Sequence, residues 1–206
     1  MRQLNSFLDG AIMDSGVRHH LWKGWGLCAR HAWAYSVLEV ETFGGRPFST
    51  AILYEDLLDR AVRSLRRSHR LPWPVALYRL RSSASCFTCD YVRIAAATAP
   101  DDPLGHFPRV GRLLAGSQPI WEPLACPRCA RGRGPVCRPH LLAGGSPGER
   151  ARMEAHLASL SGRLRVFLRS MTWRGPVAED LERVAWIEAL GWFHGWEPAF
   201  QLASRP

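Results

Sequence analysis

The chain has 206 residues, is 47% hydrophobic and 22% charged, and carries a formal net charge of +9. This is ordinary composition for one globular domain or two small ones, and it excludes a disordered or fibrous chain. No run of about 18 apolar residues is present, which excludes a transmembrane helix from the reading. Lys23 is the only lysine, so nearly all the positive charge is arginine, as in proteins of GC-rich genomes. The first twenty residues hold two aspartates and no sustained apolar run. They do not read as a signal peptide, which predicts a cytoplasmic protein with reduced thiols.

Taken in chain order, the sequence reads as helix. The stretches LNSFLDGAIM and VRHHLWKGW are short and interrupted by Gly10 and Gly16. From Cys28, CARHAWAYSVLEVE runs as one helix until Gly44 and Gly45. In 49–68, Ile52, Leu53, Leu57, Ala61 and Leu65 recur at helical spacing, with Arg63, Arg66 and Arg67 outside the stripe. After Pro72 and Pro74, VALYRLR fits either a strand or a helical turn, and CDYVRIAAA reads as helix. Residues 99–125 carry Pro100, Pro103, Pro108, Pro119 and Pro123, which predicts an irregular connection with one turn at RVGRLLAG. Ser146, Pro147 and Glu149 spell a capping box at the start of a long helix. Its apolar stripe is Met153, Leu157, Leu160, Leu164, Phe167 and Met171. A last helix follows RGP, with Val184, Ile187, Leu190 and Trp192 on its apolar positions. The expected fold is mostly α: a small helical bundle with irregular metal-binding turns. Its expected parts are a helical half over 1–98, the Pro-rich connection over 99–125, and a knuckle with two helices over 126–206, within one domain or two.

The cysteines fall into four doublets with two residues between members: Cys28/His31, Cys86/Cys89, Cys126/Cys129 and Cys137/His140. All six cysteines and two of the eight histidines are used. A two-residue gap lets one tight turn, or one face of a helix, aim both side chains at a single ion. A tetrahedral structural zinc site takes two doublets, with three cysteines and one histidine a common set. Four doublets therefore make two sites. Cys126, Cys129, Cys137 and His140 lie in the Pro-, Gly- and Arg-rich stretch CPRCARGRGPVCRPH, so they are assigned to one local site. The remaining set, Cys28, His31, Cys86 and Cys89, closes across the chain. GWGLCARH and GRGPVCRPH resemble each other, which suggests an internal duplication.

The other histidines, at 19, 20, 69, 106, 156 and 194, have no partner at metal spacing and read as surface or ordinary polar positions. The arginines at 60, 63, 66, 67 and 70 read as a solvated helix face. Trp186, Trp192 and Trp196 read as core.

The residues FLDGAIMDSGVRHHLWKGWGLCARHAW, GPVCRPHLL and RLRVFLRSMTWRGPVAEDLERVAWIEAL resemble an uncharacterised bacterial family, catalogued as a domain of unknown function. Its members carry CPxC doublets, Gly-aromatic-Cys-x-x-His doublets and a long helix followed by a Trp-bearing one. They place a Cys-x-x-Cys before the first Cys/His doublet, whereas here the order is Cys/His, Cys/Cys, Cys/Cys, Cys/His. The resemblance implies metal binding and no particular activity.

The sequence thus predicts a non-enzymatic scaffold or interaction protein holding two zinc ions, with an unknown protein partner and no membrane. One alternative is an iron–sulfur or thiol redox protein. Another is nucleic-acid binding through Arg128, Arg131, Arg133 and Arg138 of the knuckle.

Overall fold

The computed structural model describes residues 14–90, 107–130 and 132–204, and all regular structure among them is helical. Helix α1 (Ser15–Gly24) is capped by Asp14, whose carboxylate accepts the backbone N–H of Gly16 and Val17, both at 2.9 Å. Gly16 therefore sits in a capped first turn and does not break the element. The helix ends where Trp25 turns left-handed (φ 57°). Helix α2 (Ala29–Thr42) runs as the sequence predicts and stops before the positive-φ pair Gly44 and Gly45.

Two glutamates of α2 organise its neighbours. Helix α3 (Phe48–Arg67) and helix α5 (Pro108–Trp121) have no side-chain cap of their own. The buried Glu39 carboxylate accepts the N–H of Ser49 (2.5 Å) and Thr50 (2.9 Å) and the Thr50 hydroxyl (2.7 Å). Glu41 accepts the N–H of Val110 at 2.7 Å. Both carboxylates thus satisfy orphan donors at positive helix ends. Helix α5 occupies the stretch expected to be irregular. Pro108 lies in its first turn, where no N–H is needed, and Pro119 comes near its C-terminal end. The Leu114 carbonyl, in the turn before Pro119, accepts the Trp121 indole N–H at 2.9 Å.

The undecided segment after Pro72 is helix α4 (Trp73–Tyr78). Helix α6 (Arg138–Gly144) follows the knuckle. A 3₁₀ turn, Pro147–Glu149, carries the expected capping box and leads into α7 (Arg150–Ser170). Helices α3 and α7 form the main pair. Leu53, Leu57, Ala61 and Leu65 meet Leu157, Leu160 and Leu164 in the core, while Arg66 pairs with Glu154 and Arg165 with Glu55 along the seam. The expected last helix is divided into α8 (Asp180–Arg183) and α9 (Ala185–His194), and after Gly195 a further helix α10 (Glu197–Ala203) packs on α5. Trp196 stacks on Trp121 with centroids 6.0 Å apart.

Helix α9 is buried on nearly all sides and touches α2, α3, α6 and α7. It carries Glu188, 1% exposed, whose carboxylate meets His156 at 2.8 Å and Arg163 at 2.7 Å. His156 is therefore a partner of a buried acid and not a free surface residue. Side chains from both halves enter one continuous core. No helix among the described residues is long and apolar enough to cross a membrane.

Candidate metal centres

The first cluster is built on two short turns. Cys28 is the N-cap of α2 with φ −68° and ψ 164°, and its carbonyl accepts the N–H of Ala32 at 2.8 Å. His31, one turn in, then lies on the same face. Cys86 precedes the helical residues 87–90, and its carbonyl accepts the N–H of Asp90 at 3.0 Å. Cys89 is thereby turned back beside it. The serine-rich run before Cys86 is tied to the end of α1: the Ser82 hydroxyl donates to the Gly24 carbonyl at 2.9 Å, and the His20 ring meets the Ser85 carbonyl at 2.9 Å.

The second cluster uses the same devices in reverse order. The Cys126 carbonyl accepts the N–H of both Cys129 and Ala130 at 3.0 Å. The spacer then folds back so closely that a Cβ on Gly134 would lie 1.8 Å from the Leu124 oxygen, so only glycine fits. Cys137 is the N-cap of α6 with φ −68° and ψ 159°, and His140 follows at the third helical position. The two Cys/His corners share one local geometry, as their sequence likeness leads one to expect. Each places a sulfur at a helix N-terminus, where unpaired N–H groups favour a thiolate.

The structure groups the eight side chains as Cys28, His31, Cys86, Cys89 and as Cys126, Cys129, Cys137, His140. Within each group all ligand atoms lie within 4.8 Å of one another. In the first, His31 Nδ1 is 3.4 Å from the Cys28 sulfur, 3.5 Å from Cys86 and 3.4 Å from Cys89, and the Cys28 and Cys89 sulfurs are 3.8 Å apart. In the second, His140 Nδ1 is 3.6, 3.4 and 3.2 Å from the sulfurs of Cys126, Cys129 and Cys137, and Cys129 and Cys137 are 3.6 Å apart. A tetrahedron with bonds of about 2.3 Å to sulfur and about 2.0 Å to nitrogen has edges of about 3.8 Å and about 3.5 Å. A disulfide needs about 2.05 Å, and all six thiols are free.

Protonation within each cluster is uneven. A hydrogen bond from the Cys28 thiol holds Cys86 down at about 3, while that bond and burial push Cys28 up. Burial acts against the Cys126 thiolate, but backbone N–H groups of Cys137, Arg128 and Cys129 bring its value below the usual thiol range. Burial raises Cys89, Cys129 and Cys137. Three thiolates facing one point repel one another, and a cation at the centre removes that conflict.

The knuckle is not excluded from the core. Cys126 and Cys137 are fully buried, and Ala125 and Val136 pack beside them. Its arginines also depart from the expected basic surface. Arg138 is 7% exposed and so is not available to a phosphate backbone. Its guanidinium donates to the carbonyls of Leu80 (2.8 Å) and Phe193 (3.4 Å) and to the Ser82 hydroxyl (2.7 Å). Arg128 donates to the carbonyls of His140 and Gly144, both at 3.2 Å, and staples the knuckle to α6. Arg133 is exposed, and Arg131 lies outside the described residues.

Three further residues surround the clusters. Arg60 does not lie on the solvated face: its guanidinium is sandwiched between Trp22 (3.8 Å) and Trp25 (3.7 Å), and burial lowers its pKa to about 10. His194 contacts the Tyr54 hydroxyl through Nε2 at 2.6 Å. Burial, and then the charge of Arg138, push His194 down to about 3, while burial raises Tyr54 well above its usual value. These positions carry no spacing signal, because their partners come from distant parts of the chain. No family model, curated protein or solved structure matches this chain.

Proposed function

We propose that the protein is a zinc-stabilised helical scaffold or interaction module of the cytoplasm, belonging with the domain-of-unknown-function family its doublets resemble. In this reading Cys28, His31, Cys86 and Cys89 hold one ion, and Cys126, Cys129, Cys137 and His140 hold the second. The observation that carries it is the agreement of both clusters with the edges of a three-sulfur, one-nitrogen tetrahedron. Protein side chains fill all four corners of each site, the pattern of structural zinc; catalytic sites keep a corner for water. Three thiolates and a neutral imidazole would leave each centre with one net negative charge. Each ion would tie an N-terminal helical turn to a loop that has few apolar residues of its own.

The test is elemental analysis of protein purified without added metal. Two zinc ions per chain and no visible absorption band are expected. Stoichiometric iron with a visible band would replace this reading with an iron–sulfur one, and a folded, metal-free protein would end it.

A further inference from the structure

We propose that the cavity beside the first cluster binds a small carboxylate carried on an apolar body, with Arg138 as its anchor. The cavity has a volume of about 260 Å³. That is just below the usual range of about 300–1,000 Å³ for drug-sized ligands, so its occupant is small. Leu27, Ala84, Pro139 and Phe193 give it apolar walls, and Arg138 and His194 reach it as polar groups.

Arg138 is a buried cation without an acid. No carboxylate among the described residues lies within ion-pair distance of it. Its guanidinium carbon lies 5.6 Å from the centre of the Trp25 ring, a contact through the flat face that uses none of its N–H donors. A guanidinium has five N–H donors. Three are engaged, by Leu80, Phe193 and Ser82, which leaves one on each terminal nitrogen without a described partner. A pair of that kind matches the two oxygens of a carboxylate. The three engaged donors fix the plane of the fork. Ser82 is itself held by the Gly24 carbonyl, so the fork is preorganised. His194 Nε2 is occupied by Tyr54, and Nδ1 has no described partner. A single cation beside a centre of net negative charge favours a monoanion over a phosphate.

Cys28 and Cys86 also line this cavity, so its shape rests on the metal reading above. A loaded centre places one net negative charge near Arg138 but takes none of its described N–H bonds, which go to Leu80, Phe193 and Ser82.

The experiment is calorimetric titration of the full, zinc-loaded chain with benzoate, benzamide and inorganic phosphate, with zinc measured on each sample. Benzoate is expected to bind with a Kd below about 10 mM, and benzamide at least about tenfold more weakly. Arg138→Lys, which keeps the charge but loses the fork, should weaken benzoate at least about tenfold. Ala84→Phe, which adds bulk at the cavity wall and leaves Arg138 itself unchanged, should abolish binding. Absence of benzoate binding, equal binding of benzamide, tighter binding of phosphate, or unchanged affinity in Ala84→Phe each overturns the proposal. Two zinc ions without benzoate binding would sink the carboxylate site alone. Benzoate binding without zinc would sink the metal reading alone.

Discussion

Replacing Gly191 by alanine should destabilise the protein, although the same change usually strengthens a helix. Gly191 lies within α9, where alanine in place of glycine is worth about 0.5–1 kcal/mol of helix stability. A Cβ at this position would stand 2.4 Å from Cε2 and 2.5 Å from Cδ2 of Trp196. That indole is 2% exposed and stacked on Trp121, so moving it aside breaks the stack. Overpacking of this kind costs about 1–3 kcal/mol, and a contact this short belongs at the upper end. The net loss is about 2–2.5 kcal/mol, which in a chain of this size lowers Tm by about 4–10 °C. Differential scanning calorimetry of the metal-loaded protein reads this directly. The Trp196→Ala background supplies the control: with the ring gone, Gly191→Ala should be neutral or stabilising. The backbone N–H of Trp196 also supports the Cys129 sulfur, so a displaced Trp196 should speed metal loss from the second centre. A higher Tm for Gly191→Ala, or the same shift in both backgrounds, would refute the packing argument.

Other substitutions separate the centres and the supports around them. Cys137→Ser should remove one ion and disturb the knuckle and α6, whereas Cys28→Ser should remove the other and loosen α2 from residues 86–90; metal analysis and thermal unfolding distinguish them, and loss of both ions in either variant would break the two-site scheme. Glu39→Gln leaves a neutral amide against the N–H groups of Ser49 and Thr50 and should cost about 1–3 kcal/mol, measured by urea unfolding. His194 has a folded pKa depressed to about 3, so its contribution to stability is present above the ordinary histidine value near 6.5 and is lost as pH falls toward 3. His194→Gln should therefore lose less stability than the native chain over that window, and parallel pH profiles would contradict the assignment. Trp173 is 91% exposed, so Trp173→Ser should leave Tm unchanged to within about 0.5 kcal/mol of stability.

Much of this arrangement is legible in the residues themselves. The stripes over 48–67 and 150–170 each bury one face of a long helix, and the pattern survives because both helices use that face against each other. The four doublets could be paired by counting because each needs only a local turn to aim two ligands. What escaped the sequence depended on distant partners. Helix α5 was hidden by its prolines, because its N-terminal cap comes from Glu41, 69 residues away. Arg138 looked like knuckle surface until Leu80, Ser82 and Phe193 closed over it. Arg60 looked solvated because its sandwich needs Trp22 and Trp25 from the first helix and its exit. His194 has no neighbour in sequence that announces Tyr54.

X-ray absorption at the zinc edge tests the central claim most directly, because it reads the ligand shell and not only the presence of metal. Protein purified without added metal should give an average first shell of three sulfurs at about 2.3 Å and one nitrogen at about 2.0 Å per ion, with no water oxygen. The same spectrum should persist for the single ion left in Cys28→Ser, because the cluster of Cys126, Cys129, Cys137 and His140 is complete without the first. A shell dominated by oxygen or nitrogen, or one with fewer than three sulfurs per ion in the native chain, would contradict the assignment of both clusters.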